Sequence, residues 1–319
     1  MVVFSLLLIG AIAAAAASFY IIRIKRKLAR DIARRKQSEQ REQTRNRVLE
    51  MLAHGASLAT ILEAIVLGVE QERPDMLCSI MLLDSEGRHL LNGAAPSLPD
   101  FYNDTIEGFG IGIGAASFGT TAFTGQRVIV EDVQTHPYWS PYKDLTSKAE
   151  LGACWSEPIR SASGKMLGIF SIYHRQPHRP TVEEIRLIEQ TANLAEIALG
   201  RSHADRALKE SGKLLSDILE NVTSYIYTKD TEGRYLFANR LLRERFDAPM
   251  EEIAGYDDYK FFDADTAANM RKDDLRVLQN GETLQAEETI PNMLTGVTQV
   301  FLTVKIPLRH EDGRSKSVV

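Results

Sequence analysis

Residues 1–22, MVVFSLLLIGAIAAAAASFYII, contain no charged side chain, whereas residues 23–36 contain eight Lys or Arg against one Asp. A helix rises about 1.5 Å per residue, so roughly 20 apolar residues reach across a hydrocarbon core of about 30 Å. The pattern predicts a transmembrane helix over residues 1–22. A cleavable signal peptide carries its basic residues ahead of the apolar core, and here they follow it. Short flanks rich in Lys and Arg stay on the cytoplasmic side. The expectation is therefore a single-pass protein of the cell inner membrane with its soluble domains in the cytoplasm.

The chain has 319 residues, 44% of them hydrophobic, which leaves room for about two ordinary domains beyond the anchor. Its net charge of −5 hides an asymmetry. The positive charge is concentrated next to the apolar run, where it can meet anionic lipid headgroups, and the remainder is acidic. A nucleic-acid partner is not expected. Two cysteines, Cys78 and Cys154, are too few for a disulfide framework and agree with a reducing compartment.

Residues 23–50 hold helix formers, no Gly or Pro and too few apolar side chains for a core, which predicts an exposed basic juxtamembrane signalling helix. After Gly55, the residues Leu58, Ile61, Leu62, Ile65, Val66 and Val69 recur at three- and four-residue spacing, the stripe of a helix packed on a domain. Strands are expected over residues 79–83 (SIMLL), 89–91, 127–133, 152–159 and 166–174 (MLGIFSIYH). Thr181 and Glu184 have the spacing of a capping box and open a helix over residues 182–199. Leu208, Leu215 and Val222 fall seven apart in a connecting helix over residues 202–222, a short seam suited to a homodimer.

Three blocks carry a family resemblance: AAPSLPDFY at residues 94–102, FGTTAFTGQRVIVEDVQTHPYW at 118–139, and ACWSEPIRSASGKMLGIFSIY at 153–173. On these, residues 51–201 resemble a GAF domain of the kind found in bacterial sensors with cyclic-di-GMP or histidine kinase outputs. Residues 214–319 resemble a PAS domain, with YIYTK at 225–229 and RYLFAN at 234–239 around the turn at 230–233, a helix over 266–279, and strands near 284–290 and 299–307. The family's sheet places its last strand in the middle. After the turn at 310–314 only Ser317-Val318-Val319 remain, so the expectation is a PAS sheet lacking that strand, and a chain that is a fragment or the product of a disrupted reading frame. The overall class expected is α+β.

No catalytic constellation is found in the sequence. The seven histidines show no metal-ligand spacing, there is no phosphate-loop motif, and a GG[DE]EF pair is absent. His174 and His178 are four apart, but Pro177 between them excludes a helix. The glycine-rich run at residues 108–114 lacks the strand–helix setting of a nucleotide fingerprint and is expected to be a loop over the ligand cavity. The resemblance implies a small-molecule cavity in the GAF part, with Phe118, Cys154 and Trp155 as its candidate lining residues. Cys154 has no neighbouring base in sequence to lower its pKa, which favours packing over thiol chemistry. The cofactor is unknown. The PAS part has no cysteine for a flavin adduct, and its helix at 266–279 has no histidine for haem iron, so neither group is expected. These features predict a membrane-anchored sensor and transmitter without a catalytic output domain of its own, or, alternatively, the input half of a diguanylate cyclase, phosphodiesterase or sensor histidine kinase.

Overall fold

The computed structural model describes the backbone of residues 2–291, 298–310 and 315–319. Side chains are described from residue 35 onward in those segments, apart from Pro291 and Ser315, and at scattered earlier positions including Tyr20, Ile24, Leu28 and Ile32. The chain divides into two compact units, Met1–Asp205 and Arg206–Val319.

The first unit opens with α1, Val2–Ala53, one continuous helix in its backbone. Among the described residues no helix is long and apolar enough to cross a membrane. The anchor expected over residues 1–22 falls almost wholly on side chains outside the described residues. Ser57 caps α2 (Leu58–Glu72) by accepting the Thr60 amide at 3.2 Å. The apolar stripe of α2 is buried as its spacing predicts: Ile61, Leu62, Ile65, Val66 and Val69 are all 5% exposed or less. Each contributes roughly 1.5–3 kcal/mol of burial free energy.

Six strands form one antiparallel sheet in the order β3-β2-β1-β6-β5-β4, with β1 Leu77–Leu83, β2 His89–Ala94, β3 Phe109–Gly110, β4 Val128–Val130, β5 Ala153–Arg160 and β6 Met166–His174. Helices α3 (Asp100–Ile106), α4 (Ala116–Thr124) and α5 (Lys143–Lys148) lie in the connections, with a 3₁₀ turn at Pro137–Tyr142 before α5. The strands β1, β5 and β6 at the middle of the sheet are covered on both faces. Strand alternation sends Cys78, Ile80, Trp155, Phe170 and Ile172 into a core shared with α2 and α6 (Val182–Asn221). It sends Met81, Cys154, Ile169 and Tyr173 into a second core with Phe118 and Trp139. A Cβ added at Gly168 would land on the Met81 carbonyl oxygen, so only glycine lets β6 lie this close to β1. The capping box forms: the Thr181 amide donates to Glu184 Oε2 at 2.7 Å and the Glu184 amide to Thr181 Oγ1 at 3.3 Å.

In the second unit, β7 (Tyr227–Lys229) and β8 (Tyr235–Ala238) make a hairpin, followed by α7 (Arg240–Phe246), α8 (Met250–Ile253), a 3₁₀ turn at Asp258–Lys260 and α9 (Ala264–Asn280). A long hairpin of β9 (Leu284–Pro291) and β10 (Thr298–Lys305) then leads into β11 (Pro307–Arg309). The expectation of an absent central strand is corrected. Ser315–Val318 form β12, which lies between β11 and β7 in the order β11-β12-β7-β8. Val318 pairs with Pro307 on one side and Lys229 on the other, and Val319 exchanges both backbone hydrogen bonds with Ile306. Four residues, SKSV, carry too little periodicity to read as a strand; partners on both sides hold them there.

Two lysines are buried in this unit, Lys229 and Lys305, each 1% exposed. Lys229 Nζ lies 2.5 Å from Asp258 and 3.1 Å from Asp274, and Lys305 Nζ lies 2.8 Å from Asp274 and 3.2 Å from Glu288. Tyr235 donates its hydroxyl to Asp258 at 2.7 Å. Desolvating such charges is costly, and removing one partner leaves the others buried and uncompensated. Lys229→Met is expected to destabilise the second unit by about 3–5 kcal/mol, read as a lowered urea midpoint. An unchanged midpoint contradicts the network's role.

Candidate functional site

The candidate lining residues of the first unit separate on the sheet. Phe118, on α4, is 1% exposed, and its ring packs edge-on against Phe109 at 4.8 Å and Trp139 at 5.6 Å. Cys154 shares that core. Trp155, the next residue along β5, points to the opposite face and packs with α2 and α6. Adjacent strand residues cannot line one cavity, so the structure brings Phe118 and Cys154 together and leaves Trp155 out. The glycine-rich run at 108–114 is partly strand, since Phe109–Gly110 pair with Leu90 and His89, and it packs over Phe118.

Around Cys154 runs a line of buried hydroxyls. Ser117 Oγ donates to Cys154 Sγ at 2.9 Å; Ser156 and Ser171 share a bond of 2.8 Å; Ser79 and the Tyr173 hydroxyl share one of 3.2 Å. All five residues beside the thiol are fully buried. Trp139 Nε1, buried in the same core, has no hydrogen-bond partner among the described residues, and the Tyr102 hydroxyl faces that of Tyr173. Unpaired buried donors are costly. Tyr102, Trp139, Tyr173 and the serines do not stand out in the sequence as members of this core. Alternation from Cys154 along β5 gives Ser156, but β1 and β6 bring their hydroxyls in through pairing, and FGTTAFT, with one Gly and three β-branched Thr, does not read as the helix α4.

Burial pushes the Cys154 thiol up to about 12, although the hydroxyls of Ser117 and Ser156 favour its thiolate. Burial likewise raises the Cys78 thiol well above its usual range. Burial thus disfavours the thiolate at both cysteines. Among the described residues no group of three or more His, Cys, Asp or Glu could hold a metal ion.

A cavity of about 670 Å³ lies in the second unit between β7 and β10, lined by Tyr225, Tyr227, Tyr235, Met270, Glu288 and Phe301 among others. The Arg245 guanidinium stacks over Tyr225 at 5.5 Å and Phe301 at 5.1 Å, and Glu288 Oε2 accepts the Thr303 hydroxyl at 2.9 Å. The cavity is apolar and aromatic with charge at its margins, the usual composition of a small-molecule pocket.

These features have counterparts in known proteins. Residues 55–200 match the GAF domain family and residues 219–319 the PAS fold family. The chain carries a GAF domain followed by a PAS fold, two sensor input modules related to those of sensor histidine kinases and diguanylate cyclases. A methyl sulfide methyltransferase-associated sensor of Methanosarcina acetivorans is 36% identical over 252 residues, 79% of this chain and 25% of that protein. The methanogenesis regulatory histidine kinase FilI of Methanothrix harundinacea is 30% identical over 135 residues, 42% of this chain and 15% of that protein. A diguanylate cyclase of Vibrio cholerae is 26% identical over 93 residues, 29% of each. The chain thus spans a quarter or less of the first two relatives.

Thiol alkylation checks the burial of the site. At about pH 8 the native protein is expected to take up no iodoacetamide, and both cysteines are expected to react once it is unfolded in guanidinium. Labelling of native Cys154 at the rate of a free thiol contradicts the closed hydroxyl cluster.

Proposed function

We propose that this chain is the input region of a membrane-anchored sensor whose GAF and PAS modules face the cytoplasm and act as a homodimer. A small molecule bound beneath α4, or a signal arriving through the membrane, biases the packing of helices between two copies and is read by an output outside this sequence. The observation that carries the proposal is α6. Its first half is buried against the GAF sheet through Leu187, Ile188, Ala192 and Ala195. Its second half leaves Leu208, Leu214, Leu215 and Ile218 between 53% and 75% exposed. Ile24, Leu28 and Ile32 of α1, four residues apart, are exposed in the same way. Apolar stripes of this kind on long helices suit a second copy of the same helix. The uncharged run at residues 1–22 and the basic residues after it support the anchor and its cytoplasmic orientation.

A more specific reading is favoured by the relatives: the input half of a histidine kinase in a two-component system, or of an enzyme of cyclic-di-GMP signalling. The output enzyme then supplies the activity, and these modules set its rate.

Two measurements test the proposal. After carbonate extraction the full chain is expected to stay in the membrane pellet; recovery in the supernatant overturns the anchor. In the same membranes, Leu208→Cys and Leu215→Cys are expected to form disulfide-linked dimers. Glu210→Cys, about 200° around the helix from Leu208, is not. Equal crosslinking at all three positions, or none at any, overturns the paired helix.

A further inference from the structure

Strand β6 ends at His174, whose imidazole lies on the helix-covered face of the sheet, 4.7 Å between centroids from the Trp155 ring of β5. The chain then turns through residues 175–180 and brings His178 back over both rings. The His178 ring lies 4.3 Å from His174 and stacks on Trp155 at 5.3 Å, with 28° between the planes. Three rings thus seal the end of the sheet where α6 begins. His178 Nε2 lies 3.3 Å from Glu184 Oε2, the oxygen that also accepts the amide and hydroxyl of Thr181 in the cap of α6. Arg73 holds the other Glu184 oxygen at 2.5 Å, and the His178 amide donates to the Glu131 carbonyl at 2.9 Å.

His174 is 5% exposed, and its Nε2 has no hydrogen-bond partner among the described residues; nor has the Nε1 of Trp155. A proton placed on Nε2 therefore has no acceptor among the described residues. The charged and titratable groups bearing on it are His178 from the turn, Asp75 and Arg73 from the segment after α2, and Glu184 from α6. The ion pairs Arg175–Glu150 and Arg179–Glu131 sit on neighbouring residues of the turn and are more exposed. Burial, helped by His178 and Arg73, outweighs the two carboxylates and lowers the His174 ring to about 4.

We propose that this stack is an acid-operated release for the start of α6. Proton uptake from solvent by His174 drives the ring out of the stack, lifts residues 175–181 from Trp155 and uncouples the cap from its helix. The opened segment binds the proton at an ordinary histidine value near 6.5, the stacked one only near 4. Acidification between those values therefore favours the open form. Glu184 does not contribute in this window: although burial opposes it, the Thr181 amide and Arg73 hold its carboxyl down at about 2, so it stays ionised throughout. The module thereby senses protons at a place separate from the core around Cys154, and it does so on the helix that leaves the GAF domain.

Hydrogen exchange on the full chain in detergent micelles, compared at about pH 7 and about pH 5 after correction for intrinsic exchange, tests the release. Peptides covering residues 176–188 are expected to open roughly 20-fold more often at the lower pH, the ratio that follows from the two histidine values. Peptides of β1 and β5 should hold their protection. His174→Phe is expected to abolish the acid response while His178→Phe retains part of it. No acid response in the wild type, or an undiminished one in His174→Phe, overturns the proposal. If His174→Phe does not fold, the imidazole signals of the wild type decide: a His174 midpoint near 6.5 overturns it, and one well below 5 supports it.

Discussion

Three central strands covered on both faces are the constraint from which the first unit follows. β1, β5 and β6 have no solvent side, so each residue belongs to one of two cores, and a single step along the chain changes which one. The close approach of β6 to β1 at Gly168 draws the two cores against a thin partition. Cys154 and Trp155 are neighbours in sequence with different surroundings: hydroxyls and the rings under α4 on one side, imidazoles and the packed half of α6 on the other. The partition separates a place for a ligand from a place that grips a helix, while keeping the two one strand's thickness apart.

The second unit rests on another kind of constraint. Its apolar cluster is small, built on Tyr235, Ala238, Leu242 and Ile253. Its interior is organised by two lysines and three carboxylates contributed by β7, β9, β10, α9 and the turn at Asp258–Lys260. Such a network contributes little net stability compared with apolar packing, but it tolerates few arrangements. It specifies how the hairpins and α9 come together where the hydrophobic core alone is too small to do so.

Much of this was legible in the sequence because it is periodic. The stripe of α2, the strands at residues 79–83 and 166–174, the capping box at Thr181 and Glu184, and both domain resemblances all depend on local patterns. Features made by pairing at a distance were not legible. α4 is helical despite its Gly and Thr because its Phe118 and Ala122 are buried against the sheet. β12 is a strand because Pro307 and Lys229 flank it. Trp155 was grouped with Cys154 by adjacency, although alternation alone would have separated them. Pro177 rules out a helix that would align His174 and His178; the same proline lies in the turn that brings the two rings to 4.3 Å, tilted by 33°.

The place of β12 bears on how the second unit reaches its native state. Lys229 and Val318 stand at opposite ends of that unit's chain, yet they meet in the middle of its sheet. The hairpin of β7 and β8 can form early from local contacts, whereas the free edge of β7 stays uncovered until residues 315–318 dock on it. Closing so long a loop is entropically expensive and slow. Until β12 docks, the β7 edge has unpaired backbone groups of the kind that other strands can bind.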